Sequence, residues 1–223
     1  MQTYSNWRVL FVDGESNEKH KTYLQELKNT DKRFNILKES KSDKGIYGAM
    51  NDGFLYAADD EWISFIGSDD YLTSPNVLLE INKSINKINL DLDLFICKSA
   101  YLHKNCNRIK RISSFVNSKN HLVCFDSKRY KKLLLLGFTP PHQSTFFSPK
   151  LQKLINQYDT NYQLAADLDY FLTLKKFNNL KIAVFNFLSV KMSDEGISGR
   201  LTRKRLLEVY FAYRKAYGYL WIL

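Results

Sequence analysis

Between Asp43 and Leu72 a helix with a small apolar face, a short aromatic and β-branched run, and two adjacent carboxylates follow one another. No other stretch narrows the fold of this chain as far. Ile46, Ala49, Met50, Gly53 and Ala57 recur at three- and four-residue steps, which predicts a helix packed closely on a sheet. Asp43 stands at its N-cap position, and Lys44-Gly45 places a cation and unhindered backbone where a phosphate is favoured. Trp62-Ile63-Ser64-Phe65-Ile66 carries the pattern of a buried strand, broken by Gly67-Ser68. Asp69 and Asp70 then fall at a strand's C-terminal end. In open α/β sheets ligands collect outside those ends, and two carboxylates there offer oxygen ligands for Mg²⁺ or Mn²⁺, which would in turn hold a diphosphate. The competing reading is a capped core helix followed by a solvated acidic turn, and the residues taken alone favour it.

The rest of the chain alternates helices and strands, which supports α/β layers. Asp13-Gly14 reads as a turn that caps a helix from Glu18 to Leu27. Ser74 and Pro75 predict the N-cap and first position of a helix reaching Ile88. Leu92 to Cys97 and Leu180 to Val190 read as strands, Asp126 opens a helix carrying Leu133 to Leu136, and Lys150 to Asn156 reads as a short one. At 223 residues and 44% hydrophobic, with neither linker nor repeat, the chain is expected to form one domain over 1–223. Cys97, Cys106 and Cys124 share no metal-ligand spacing and read as reduced thiols. No signal peptide is evident and no apolar run is long enough to span a bilayer, so a cytoplasmic protein is expected.

Asp43 to Phe54 and Ile63 to Asp70 resemble the family 2 glycosyltransferases, particularly a bacterial surface-polysaccharide branch whose members read "DKGIYDAMNKGI" before a strand and "DD". Gly48 departs from that text, which usually carries an acidic residue there. Trp7 to Ser16 resembles the family's second strand and its "VDGgStDgT" turn. Pro140 to Phe147 resembles its "PHQ" strand, Ala165 to Tyr170 its "aaDyd" helix start, and Asp194 to Arg200 its "GGiS" loop.

The resemblance implies a GT-A fold, a three-layer α/β/α arrangement with a mixed sheet. It divides the chain into a nucleotide-sugar-binding part (1–98), an acceptor-side part (99–200) and a C-terminal helix (201–223). It further implies inverting transfer from a nucleotide-diphosphate sugar, UDP-linked, to a saccharide or lipid-linked acceptor, with Mn²⁺ or Mg²⁺ as cofactor. Asp70 would ligate the metal and Asp69 the ribose or metal shell. Asp13 would bind the base, Asp43, Lys44 and Asn51 the donor, and Ser198 the diphosphate. His142 and Gln143 fall at the acceptor. Asp167 is the implied general base, the carboxylate that takes the proton of the attacking hydroxyl, with Asp169 as second candidate.

For each of these residues a plainer reading stands beside the functional one. Asp13 also suits a turn, Asp167 a first-turn residue compensating the helix dipole, His142 a core histidine, and 194–200 an ordinary connection. Family members also open with a strand and helix that have no counterpart before Met1, so an N-terminally truncated fold with an unfilled strand slot is expected. Such a slot exposes backbone groups to pairing with another chain and allows homo-oligomers. It also raises an alternative, a catalytically inactive binding or assembly module.

A formal charge of +10 suits an anionic partner. The cations cluster at Lys104 to Arg111, Lys128 to Lys132 and Arg200 to Arg205. From Thr202 onward they alternate with aromatics, a pattern suited to the inner face of a plasma membrane, while Leu206, Val209, Phe211 and Tyr213 equally suit packing on the sheet. A nucleic-acid partner is not expected, since no helix-turn-helix, zinc or RNA-binding motif is present.

Overall fold

The computed structural model describes residues 1–14, 16–38, 45–103, 106, 108–193 and 201–219. Strand β1 (Val9–Asp13) leads through α1 (Glu18–Thr30) to β2 (Phe34–Lys38), followed by α2 (Gly45–Leu55), β3 (Tyr71–Leu72) and α3 (Val77–Lys87). Then come β4 (Leu94–Leu102), β5 (Ile109–Ser113), β6 (Leu122–Asp126), α4 (Ser127–Leu135), β7 (Thr145–Phe147), α5 (Pro149–Leu154), α6 (Ala166–Thr173), β8 (Lys181–Ser193) and α7 (Thr202–Tyr217).

Alternation along β4 explains the layering, because successive strand side chains point to opposite faces. Leu94 and Ile96 join Ile182 and Val184 of the parallel neighbour β8 in a core shared with Phe54 of α2, Leu134 of α4, Phe171 of α6 and Tyr213 of α7. Phe95 and Cys97 face the other way, with Ala183 and Phe185, against Val77 and Ile81 of α3. The sheet is mixed: β4 and β8 are parallel, while β3 and β6 pair antiparallel with β8, and β5 and β7 with β4. This is the expected three-layer α/β/α architecture. All three cysteines are free.

Beside this six-stranded sheet stands a separate parallel pair, β1 with β2. Among the described residues no strand pairs with the other edge of β1. Its residues are only half-buried, and α1 buries none of its side chains. Arg8 ties this unit to the rest, its guanidinium bonding Glu61 at 2.6 Å and the Tyr56 carbonyl at 2.6 Å.

Several local expectations need correction. Trp62 to Ile66 is not a buried strand: it makes a single bridge, Ile63 with Phe147, and Ile66 is exposed. Among the described residues only Phe147 pairs with it. The face of α2 is turned by one residue from the expected one, with Tyr47, Gly48 and Phe54 buried and Ile46 exposed. Two aromatic rings bury more area than the small residues do, so they take the core side. The N-cap of α1 is Asn17, whose side chain accepts from the His20 amide. Ser74 does not cap α3, which begins at Val77 after Asn76. Thr73 is still bound to β8 by its amide and hydroxyl, at 2.9 and 2.7 Å, so the chain cannot turn into a helix sooner. On α7, Tyr213 is buried and Val209 packs on the core, but Leu206 and Phe211 are exposed.

Candidate active site

The acidic pair occupies a tight turn closed by the Asp70 amide, which donates to the Gly67 carbonyl at 3.1 Å. In return the Gly67 amide donates to Asp70 Oδ2 at 2.9 Å. A Cβ on Gly67 would lie 2.9 Å from Asp70 Oδ2 and 3.3 Å from Asp69 Oδ1, so both carboxylates converge over the space that glycine leaves free. Burial raises the pKa of Asp70, an effect reinforced by the charge of Asp69 and opposed by the Gly67 hydrogen bond. Two crowded carboxylates, one of them desolvated, form a donor set that a divalent cation would relieve. Among the described residues no cluster of three or more His, Cys, Asp or Glu could hold a metal ion. A pair suits Mg²⁺ or Mn²⁺, which keeps most of its coordination for water and phosphate oxygens.

Phe65 connects this turn to a second cluster. Its ring stacks on the His142 imidazole, with centroids 5.7 Å apart and planes 14° apart. His142 opens a 3-10 turn, His142–Ser144, after two prolines, and its Nε2 lies 2.8 Å from the Tyr158 hydroxyl. Asn51 holds Tyr158 at both backbone groups, donating to its carbonyl at 3.0 Å and accepting from its amide at 2.6 Å. The Asn51 amide is thus engaged in positioning Tyr158. The Gln143 carbonyl accepts from the Ser64 hydroxyl at 3.3 Å, fastening the turn to the segment before the acidic pair.

Asp167 faces the same cluster from the first turn of α6. The Tyr47 hydroxyl donates to its Oδ1 at 3.2 Å, and its negative charge opposes the lowering of the buried His142 pKa. Asp169, two residues along, points elsewhere. Its buried carboxylate pairs with Lys215 of α7 at 3.0 Å, and burial raises its pKa against that pairing. The structure thereby separates the two candidate bases.

Glu208 was not anticipated. The N-terminus of α6 has no side-chain cap of its own, and the Glu208 carboxylate accepts from the Leu164 and Ala165 amides at 2.7 and 3.0 Å. A carboxylate at that helix end favourably compensates the dipole while it holds the turn carrying Asp167. Its only signal in the sequence is that it is the lone acidic residue between Thr202 and Leu223. Asp13, at the end of β1, accepts from the Ser16 amide at 3.1 Å, the turn geometry expected of it. Asp43, Lys44, Ser198 and the rest of the 194–200 loop lie outside the described residues.

Burial dominates the lowered pKa of His142 and keeps the imidazole neutral in the fold. A base with a depressed folded-state pKa contributes stability that is fully present above its ordinary value of 6.5 and is lost as pH falls toward the folded value. Urea unfolding should show that loss below pH 6.5, and His142→Gln should flatten that part of the profile. An unchanged slope in the variant would show that other groups control it.

The three-layer arrangement around a mixed sheet defines an α/β protein of the GT-A class. The description "Glycosyl transferase family 2" matches residues 1–155, and the chain belongs to that family. Among solved structures it is similar to S. aureus TarS 1-349 in complex with UDP, with a TM-score of 0.64 and 16% identity over 97% of this chain and 59% of that one. Uncomplexed S. aureus TarS 1-349 gives a TM-score of 0.60 and 14% identity, with the same coverage. A further S. aureus TarS structure gives 0.60 and 14%, covering 97% of this chain and 36% of that one. The chain therefore spans less than two thirds of the solved proteins it resembles. Comparison with curated protein sequences gives no significant match. Among the described residues no helix is long and apolar enough to cross a membrane.

Proposed function

We propose that this domain transfers a sugar, with inversion, from a UDP-linked donor to a hydroxyl of a saccharide or lipid-linked acceptor in bacterial polysaccharide synthesis. The observation that carries this reading is the stack of Phe65 on His142, which links the segment leading to Asp69-Asp70 with the aromatic cluster whose Tyr47 hydroxyl donates to Asp167. Family membership supports the reaction class. The UDP seen with a structurally similar protein favours uridine as the nucleotide.

Asp69 and Asp70 would hold Mn²⁺ or Mg²⁺. When bound, the ion would supply Lewis-acid neutralisation of charge on the departing diphosphate. Asp13 would contact the base, with Asp43, Lys44 and Ser198 assigned to the donor phosphates. Asp167 would remove the acceptor hydroxyl proton as that oxygen bonds to the anomeric carbon and the bond from carbon to diphosphate oxygen breaks on the opposite face. Tyr47 fixes the orientation of Asp167, and the half-buried position limits competing water. His142 and Gln143 would line the acceptor side.

The test is UDP release from a panel of UDP-, GDP- and dTDP-sugars. Turnover of a UDP-sugar above the rate of Asp70→Ala supports the reading, and turnover of none of them counts against it. A second reading, an inactive module, is favoured by the one-sided pairing of β1, the strand whose tip carries Asp13. It predicts no UDP affinity with or without Mn²⁺.

A further inference from the structure

We propose that Glu208 is a positioning residue that frees the Asp167 carboxylate for proton transfer, by taking over the capping of α6 that a first-turn aspartate otherwise performs. Asp167 lies in the first turn of α6, where a carboxylate ordinarily compensates the helix dipole and accepts from unpaired amides. The N-cap position is held by Ala165, which has no side-chain oxygen to offer. Glu208 reaches that end from α7, and its Oε2 accepts from both the Leu164 and the Ala165 amides, at 2.7 and 3.0 Å. One carboxylate thus serves the helix end and the other is left for chemistry.

The contacts of Asp167 are divided unevenly between its two oxygens. Oδ1 accepts from the Tyr47 hydroxyl at 3.2 Å and from the Leu168 amide at 2.9 Å. Among the described residues no donor bonds Oδ2. A carboxylate anchored through one oxygen and open at the other is fixed in direction and still able to take a proton. Burial, with the charges of Asp167 and Glu208, pushes the Tyr47 phenol up, which keeps it protonated and donating.

Several polar ties hold α7 against α6. Lys204 donates to the Gln163 side chain, Lys215 pairs with Asp169 at 3.0 Å and with Asp159 at 3.1 Å, and Lys175 donates to the Ala216 carbonyl. Positions 204, 208, 215 and 216 therefore meet 163, 164–165, 169 and 175 in the same order, so the two segments run side by side in one direction. Among these ties Glu208 is the one that holds the backbone leading into Asp167. Without it the Leu164 and Ala165 amides lose their acceptor, and the carboxylate nearest to them in sequence is Asp167 itself. Rotation toward those amides would commit Oδ2 to the helix end and turn it away from an acceptor hydroxyl. The effect on turnover rests on the transferase reading, whereas the capping does not.

The experiment compares Glu208→Ala, Glu208→Gln and Lys215→Met with wild type, in UDP-release kinetics and in amide hydrogen exchange of the full chain. Glu208→Ala should lower kcat by about 10²-fold, the cost of a slightly misplaced reacting group, with the KM for the UDP-sugar and the affinity for UDP unchanged. Exchange at Leu164 and Ala165 should quicken by about tenfold or more. Glu208→Gln, whose amide oxygen still accepts, should restore most of both. Lys215→Met leaves the buried Asp169 carboxylate without its partner, so it should lower stability and keep kcat near wild type. A kcat loss as large in Lys215→Met would make the effect one of packing and overturn the proposal. So would an unchanged kcat in Glu208→Ala, or a loss that Glu208→Gln does not relieve. Unchanged exchange at Leu164 and Ala165 would overturn it whether or not the protein turns over a donor. Turnover of no UDP-sugar by wild type, with the exchange pattern as expected, would count against the transferase reading only.

Discussion

Asp167→Asn is expected to lower turnover by about 10²–10⁴-fold, the usual contribution of a positioned general base, while UDP affinity is unchanged. The substitution is nearly isosteric, and the amide oxygen can still accept from Tyr47 in place of the carboxylate bonded at 3.2 Å. What it loses is the capacity to take a proton. Asp169→Asn is the matched control, since that carboxylate is buried against Lys215 and serves the packing of α6 on α7. It should alter stability and leave turnover largely intact. UDP-release kinetics on both variants decide the matter. A turnover loss confined to Asp169→Asn would reverse the assignment.

Phe147→Ala should cost about 3–5 kcal/mol of unfolding free energy, the range for a buried phenylalanine truncated in a packed core. Phe147 has no solvent exposure and meets Tyr170 edge-on at 5.5 Å, Phe171 stacked at 6.2 Å and Phe65 at 6.0 Å. Its amide and carbonyl also make the bridge to Ile63, at 2.8 and 3.0 Å, which is the sole ladder contact of the segment leading to Asp69. Loss of the ring therefore loosens the core and the path to the acidic turn together. Urea unfolding measures the first effect, and Phe147→Leu, which keeps more of the volume, should be milder. A cost below about 1.5 kcal/mol for Phe147→Ala would mean that the aromatic cluster repacks around the gap.

Elements whose signals are local were legible in the sequence. Asp126 accepts from the Arg129 amide at the start of α4 as its position predicts, α5 and β8 lie close to where their residues place them, and α6 and α7 begin where the resemblance implies. Features that depend on distant partners were not. Trp62 to Ile66 has strand composition, yet a strand needs neighbours on its edges, and only Phe147 supplies one. The start of α3 is delayed because Tyr71, Leu72 and Thr73 are first tied to residues 188–191 of β8. The face of α2 was misread in part: Met50 packs on the core as expected, but Tyr47 and Phe54, which join the aromatic cluster, take the place beside it while Ile46 is exposed. Within the candidate site, the acidic pair, His142 and Asp167 stand out in the sequence through the resemblance. Glu208 and Tyr47 act through contacts spanning 44 and 120 residues, which no local pattern reveals.

The central claim is that Asp69 and Asp70 form the metal-dependent end of a nucleotide-diphosphate site, and calorimetric titration of UDP tests it directly. Wild-type protein should bind UDP in the presence of Mn²⁺ and much more weakly without it, and Asp70→Ala should lose the Mn²⁺-dependent part. Identical UDP binding by wild type and Asp70→Ala, unaffected by Mn²⁺, would contradict the account.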